Sequence, residues 1–223
     1  MDADQSAAKG ASDRFTFHPV LRLAARVVSV IFHPLFIPVY ISWFIIYTYP
    51  LFPALNGWEK NVLLLRFFVM YSVFPLVTVL LARGLGFIRS IYLKTQKDRI
   101  IPYVACGVYY FWMWYVLHHQ SQLPKEVVML ALAIFIASSA GLFINSYIKI
   151  SMHSIAAGVM VAFIMTLALL SDAPFGVYIS VALFIAGLVS TARLITDDHH
   201  PIEIYAGLAI GVVAEVVAYF IVL

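Results

Sequence analysis

Long apolar runs separated by short polar stretches dominate this chain. Seven runs are long enough for a helix to cross a bilayer, which takes about 20 mostly apolar residues. Prolines and glycines fall in most of the gaps, where they end helices. The pattern therefore predicts an all-α, polytopic transmembrane bundle of seven spans, at about 27–49, 61–82, 101–118, 126–146, 153–171, 175–192 and 203–223.

The first run is the weakest of the seven. It contains Pro34 and Pro38 beside His33, and each proline removes a backbone donor and tends to kink a helix. A re-entrant segment followed by six spans is the alternative. We expect two regions, a polar N-terminal tail with an interfacial segment at 1–26 and a transmembrane domain at 27–223.

Composition leads to the same class of protein. The chain of 223 residues is 63% hydrophobic and 11% charged, whereas a soluble domain is roughly 25% charged. This balance excludes soluble enzymes and nucleic-acid partners, and it makes the lipid bilayer the expected surroundings. The single cysteine, Cys106, excludes an intrachain disulfide and a cysteine-based metal site.

Positive charge is distributed unevenly between the two predicted sides. With seven spans, the N-terminal tail shares one side with loops 83–100, 147–152 and 193–202, and that side carries eleven of the fourteen Lys and Arg residues. Cytoplasmic loops carry this excess. We therefore expect an integral protein of a bacterial inner membrane whose site faces the cytoplasm; with six spans the cations would divide evenly.

Three polar stretches hold most of the candidate chemistry. They cover 94–102, 149–154 and 193–203, and they lead into the third, fifth and seventh predicted spans. Those helices begin on one side of the membrane, and helix N-termini attract anions through free N–H groups and the helix dipole. Lys and Arg beside them predict a phosphate or carboxylate site.

Two histidines stand at the starts of different helices. His199 and Glu203 are four residues apart, so the carboxylate can bind one imidazole nitrogen and leave the other free as a nucleophile. His153 begins another helix and could protonate a leaving group. This combination suggests phosphoryl transfer through a phosphohistidine.

Plainer interpretations remain for several of these residues. Ser151 could serve only as a helix N-cap, and interfacial Lys and Arg commonly only anchor helices. The Asp and His side chains at 197–200 could bind a metal ion, although consecutive residues point in different directions. Gly207 and Gly211 form a GxxxG pair, which usually indicates close helix packing.

The three stretches resemble the motifs of the type-2 phosphatidic acid phosphatase superfamily of membrane lipid phosphatases. That family carries Lys-x6-Arg-Pro, then Pro-Ser-Gly-His, then Ser-Arg-x5-His-x3-Asp. The corresponding segments here are Lys94 to Pro102, Ile150 to His153, and Ala192 to Glu203, in the same order. The resemblance covers about residues 90–211.

The resemblance implies a catalytic set and a phosphate-binding set. His199 would attack phosphorus, Glu203 would orient it, and His153 would protonate the leaving alcohol. No metal or other cofactor is implied, because fixed cations supply the positive charge. The expected phosphate-binding residues are Lys94, Arg99, Ser151 and Arg193.

Several positions depart from the family pattern. Ile101 stands where the first motif has arginine, so Arg99 is the expected substitute; other departures are Met152, Ala192 and Glu203. The leading hypothesis is metal-independent hydrolysis of a lipid phosphate monoester or diphosphate. The alternative is a catalytically silent member that binds a lipid phosphate headgroup or acts as a structural partner in the membrane. A transporter is less well supported, because the polar groups lie at helix starts and not at mid-membrane.

Overall fold

The computed structural model describes residues 17–49, 51–88 and 96–223, and in these residues the regular structure is entirely helical. The described residues form eight helices. They are α1 (Pro19–Ile31), α2 (Ile37–Thr48), α3 (Gly57–Gly84), α4 (Gln96–His118), α5 (Lys125–Asn145), α6 (Met152–Leu169), α7 (Gly176–Ile195) and α8 (Pro201–Val222).

Helices α3 to α8 are each long and apolar enough to cross a membrane. They correspond to the last six predicted spans, so the prediction of an all-α bundle is confirmed at that level. Helix α8 packs against α5 and α6, α4 packs against α5, and α7 packs against α6. The buried core lies chiefly on α5 and α6, whose side chains face protein on most sides.

The prediction of one continuous helix over 27–49 was wrong. The segment is divided between the end of α1 and the whole of α2, which are separated by residues 32–36. Pro34 lies in this break and Pro38 in the first turn of α2. Proline lacks the N–H that a continuing helix requires, and it is tolerated in a first turn.

The segment 33–49, which contains α2, nevertheless contacts both ends of the bundle. At its start, the His33 ring lies against His153 at the beginning of α6. Near its end, the rings of Phe44 and Tyr49 lie against Phe175, just before α7. The 12 residues of Ile37–Thr48 rise only about 18 Å as a helix, less than the roughly 30 Å of a hydrocarbon core.

A proline also shapes the middle of α3. Residues Val69–Val73 form a π-helical turn, and Pro75 follows it. A proline frees the carbonyl four residues earlier, which here belongs to Tyr71. The Tyr110 hydroxyl on α4 donates to this carbonyl oxygen at 3.3 Å, so a neighbouring helix satisfies the group that the proline leaves without a donor.

The starts of α4, α6 and α8 meet at one end of the bundle, which we call the site end. The Gln96 side chain donates to the Asn145 carbonyl at 2.9 Å, and the Asn145 side chain donates to the Gln96 carbonyl at 3.0 Å. The Ser151 amide donates to the Glu203 carbonyl at 3.2 Å. These bonds join the segments in which the sequence predicts a phosphate site.

Candidate active site

Close contact between α6 and α8 fixes the positions of two of the three polar stretches. A Cβ atom on Gly211 would lie 2.2 Å from the Ile155 carbonyl oxygen, and one on Gly207 would lie 2.9 Å from the Ser151 carbonyl oxygen. Larger residues cannot occupy these positions without separating the helices. The GxxxG pair therefore packs helix on helix, as its pattern indicates.

His199 is the centre of the site and is oriented on one side of its ring. Its Nδ1 atom lies 2.8 Å from Glu203 Oε2 and 3.0 Å from the Lys149 carbonyl oxygen. Both neighbours are acceptors, so Nδ1 carries the proton and Nε2 carries the lone pair. Glu203 Oε2 also accepts from the His200 amide at 3.1 Å, which holds the carboxylate in the first turn of α8.

The imidazole of His199 is held neutral by its surroundings. Burial lowers its pKa to about 4, an effect that the hydrogen bond to Glu203 opposes and the nearby Arg99 and Arg193 reinforce. Only 7% of the residue is exposed. At neutral pH the Nε2 lone pair is therefore available as a nucleophile.

Arg99 on the first turn of α4 lies on the free side of this ring. Its Nη1 donates to the Ile150 carbonyl oxygen at 2.8 Å, and its Nη2 lies 3.5 Å from His199 Nε2. The residue is 4% exposed. The structure thus brings the expected substitute for the missing arginine beside the candidate nucleophile.

Two further cations lie around the loop before α8. Arg193 Nη2 pairs with Asp198 Oδ2 at 2.9 Å, and its buried Nε has no hydrogen-bond partner among the described residues. Lys149 Nζ donates to the Asp198 carbonyl oxygen at 2.9 Å. Burial, followed by repulsion from Arg99, lowers the pKa of Lys149. A positively charged cluster whose donors include a buried unpartnered N–H favours an anion.

Ser151 is fully buried and caps α6. Its hydroxyl oxygen accepts from the Ser154 amide at 3.3 Å and from the Ser154 hydroxyl at 2.9 Å. This is the N-cap arrangement that the plainer interpretation predicts. Its expected role in binding phosphate stays a prediction.

His153 has partners that the sequence did not indicate. Its Nε2 atom lies 3.0 Å from the Ser29 carbonyl oxygen at the end of α1. Its ring lies edge-on to the His33 ring, with the two centroids 5.4 Å apart. Since a carbonyl only accepts, Nε2 carries the proton and Nδ1 is the atom left for chemistry.

The end of α1 explains why the Ser29 carbonyl is available. In a continuing helix the Ser29 carbonyl oxygen would accept from the His33 amide, but that amide donates to the Val30 carbonyl oxygen at 3.3 Å. The last carbonyls of a helix need outside partners, and His153 supplies one. A proline at 34 predicts the helix end and therefore the free carbonyls, but not the distant side chain that binds them.

Lys94, which the sequence predicts to bind phosphate, lies outside the described residues. Among the residues that the structure describes, no group of three His, Cys, Asp or Glu side chains is arranged to hold a metal ion. Asp198 instead pairs with Arg193, and His199 pairs with Glu203.

Comparisons of the chain with protein-family models, with curated proteins and with solved structures found no match.

Proposed function

We propose that this protein is a membrane lipid phosphatase of the type-2 phosphatidic acid phosphatase kind, which hydrolyses a lipid phosphate through a phosphohistidine. One observation carries the proposal. A neutral, buried His199 is bound through Nδ1 to Glu203 and faces the Arg99 guanidinium with Nε2. A nucleophile, its orienting carboxylate and an anion-binding cation stand together, as nucleophilic phosphoryl transfer requires.

The first step forms a bond from His199 Nε2 to phosphorus and breaks the bond from phosphorus to the lipid oxygen. The leaving oxygen takes a proton from Nδ1 of a His153 imidazolium, which carries a proton on both nitrogens and keeps the one on Nε2 bound to the Ser29 carbonyl oxygen. The phosphorylated His199 ring keeps its Nδ1 proton and is positively charged. The Glu203 carboxylate stabilises that charge at 2.8 Å.

The second step returns the enzyme to its starting state. Water attacks phosphorus, the bond to His199 Nε2 breaks, and His153 Nδ1 accepts a proton from the water. Arg99, Arg193 and Lys149 neutralise the phosphoryl oxygens in both steps. The released products are inorganic phosphate and a lipid alcohol, or a lipid monophosphate when the substrate is a diphosphate.

The proposed location is a bacterial inner membrane, with the site facing the cytoplasm. The excess of Lys and Arg on the site end supports this orientation. The path of the segment 33–49 from the site end to the opposite end also supports it, because it keeps the N-terminal segment on the same side as the site.

The decisive experiment measures phosphate release by the purified protein from phosphatidate, phosphatidylglycerophosphate, a polyprenyl phosphate and a sphingolipid phosphate. We expect release from at least one of them, and an acid-labile, base-stable phosphoprotein in rapidly quenched reactions. His199→Ala should abolish both signals. His119→Ala, at the opposite end of α4 and exposed, is the matched control and should change neither.

The outcomes separate enzyme from silent binder. Release that survives His199→Ala would contradict the mechanism. If the wild-type protein releases no phosphate but binds these lipids in a manner that depends on Arg99, it is the catalytically silent headgroup binder.

His153→Ala tests the proposed proton donor. The variant should be slow with alkyl phosphates and much less impaired with p-nitrophenyl phosphate, whose leaving group needs no proton. Equal losses with both substrates would remove His153 from the role of acid.

A further inference from the structure

An apolar cavity of about 130 Å³ lies between the helices of the bundle, next to the candidate active site. Three of its lining residues adjoin site residues. His33 contacts His153, Met152 lies between Ser151 and His153 in sequence, and Tyr103 stands one helical turn after Arg99 on α4. One end of the cavity is thus lined by neighbours of the proposed phosphate site.

The cavity runs away from the site along several helices at once. On α4 its lining extends from Pro102 to Tyr110, and on α6 from Met152 to Val159. At 1.5 Å per residue these stretches rise about 12 Å and about 10 Å. On α2, which also runs away from the site, the lining extends from His33 to Ile41. The cavity is therefore a channel that points from the site toward the middle of the membrane.

On α4 the lining of this channel ends at Tyr110. Tyr110 and Tyr71 are both buried there, and the Tyr110 hydroxyl donates to the Tyr71 carbonyl oxygen. The walls are almost wholly apolar. One polar exception is the buried Tyr103 hydroxyl, which has no hydrogen-bond partner among the described residues.

We propose that this cavity binds the hydrocarbon chain of the substrate next to its phosphate, so that the chain enters the bundle between α2, α4 and α6 and does not remain in the surrounding lipid. The inference rests on the proposed function for the identity of the headgroup. It adds that the substrate is a phosphate ester whose first carbons form an unbranched or slender apolar chain. It also implies that chain length matters only up to the end of this apolar lining.

Chain-length dependence is the first test. We expect kcat/KM to rise from butyl to octyl phosphate, measured in one detergent, and to rise no further with dodecyl or octadecyl phosphate. An octyl chain fills a channel about 12 Å long, and a longer chain finds no further apolar wall. A continued rise through octadecyl phosphate would place the chain outside the bundle.

A cavity-filling variant with a matched control is the second test. Cys106 is partly buried and lines the cavity, whereas Val108 on the same helix is 61% exposed to the outside. Cys106→Trp should lower kcat/KM for octyl phosphate at least ten-fold and leave butyl phosphate unchanged. Val108→Trp should change neither. Equal losses on both substrates would overturn the assignment, and Ser138→Leu, a smaller change in the same wall, repeats the test if the Trp variant does not fold.

Photo-cross-linking decides the question without catalysis. An octyl phosphate with a diazirine in its chain is irradiated with His199→Ala protein, and the labelled peptides are identified by mass spectrometry. Labelling around Cys106, Ser138 and Ala156 that excess octyl phosphate suppresses supports the cavity even if no lipid phosphate is hydrolysed. Labelling confined to the outward-facing residues of α7, such as Phe184, would refute it.

Discussion

Replacing Gly211 by alanine should open the contact between α6 and α8. The added Cβ would lie 2.2 Å from the Ile155 carbonyl oxygen, 2.6 Å from the Val159 amide nitrogen and 2.9 Å from the Gly158 carbonyl carbon. All three atoms belong to the backbone, so no flexible side chain can move aside. An ordinary contact begins at about 3.4 Å, so the helices must separate by about 1 Å.

The expected cost follows from this overlap. Forcing extra volume into a packed contact costs typically about 1–3 kcal/mol. For a chain of this size, 1 kcal/mol shifts the unfolding midpoint by about 2–4 °C, so we expect Gly211→Ala to unfold roughly 2–12 °C lower in detergent. The separation also moves His199 relative to the loop before α6, and a shift of about 1 Å can cost on the order of 100-fold in rate.

A second glycine provides the control. Gly187 on α7 is exposed, and a Cβ there meets nothing within 4 Å. Gly187→Ala should leave the midpoint unchanged or raise it slightly, because alanine favours a helix by up to about 1 kcal/mol. Thermal unfolding of both variants, followed by circular dichroism, is the measurement. Equal midpoints would refute the close contact between α6 and α8.

Three further predictions concern the site. Arg99→Ala should raise KM at least ten-fold while Lys97→Ala, which is exposed, changes it little; equal mild effects would assign both residues to the membrane surface. Because the pKa of His199 is lowered to about 4, kcat/KM should persist as pH falls from 7 to about 5 and be lost only near 4, where the ring gains a proton. A loss centred near 6.5 would mean that the ring is not shielded. A cysteine at Asp197, in a chain without Cys106, should resist an impermeant thiol reagent in intact cells; labelling from outside would reverse the proposed orientation.

The apolar runs predict most of the helices. The structure departs from the predicted spans where a proline removes a backbone hydrogen bond. Helices α3 to α8 coincide closely with six predicted spans because each run is long, apolar and bounded by breakers. The run at 27–49 is equally apolar, but apolarity does not measure the backbone donor that Pro34 removes. The helix is broken there because a continuous helix would lack the hydrogen bond that the missing N–H of Pro34 would have donated.

Local spacing also explains which part of the site was predictable. His199 and Glu203 meet because Glu203, in the first turn of α8, turns its carboxylate back to the residues just before the helix, as in a capping box. Arg99 and His153 have no such local relation to their partners. The Ile150 and Ser29 carbonyls that bind them are 51 and 124 residues away in sequence, and only the packing of whole helices brings them together. The apolar cavity has the same origin, since the packing of several helices encloses it.

The bond between Ser29 and His153 has a consequence for the order of assembly. Helix α1 is synthesised first, yet its partners on α6 and α7 are synthesised much later. Until they are in place, the Ser29 carbonyl oxygen needs another hydrogen-bond donor, such as interfacial water. The docking of α1 onto α6 and α7 therefore completes the hydrogen bonding of His153, the proton donor of the proposed reaction, only after both later helices have been made.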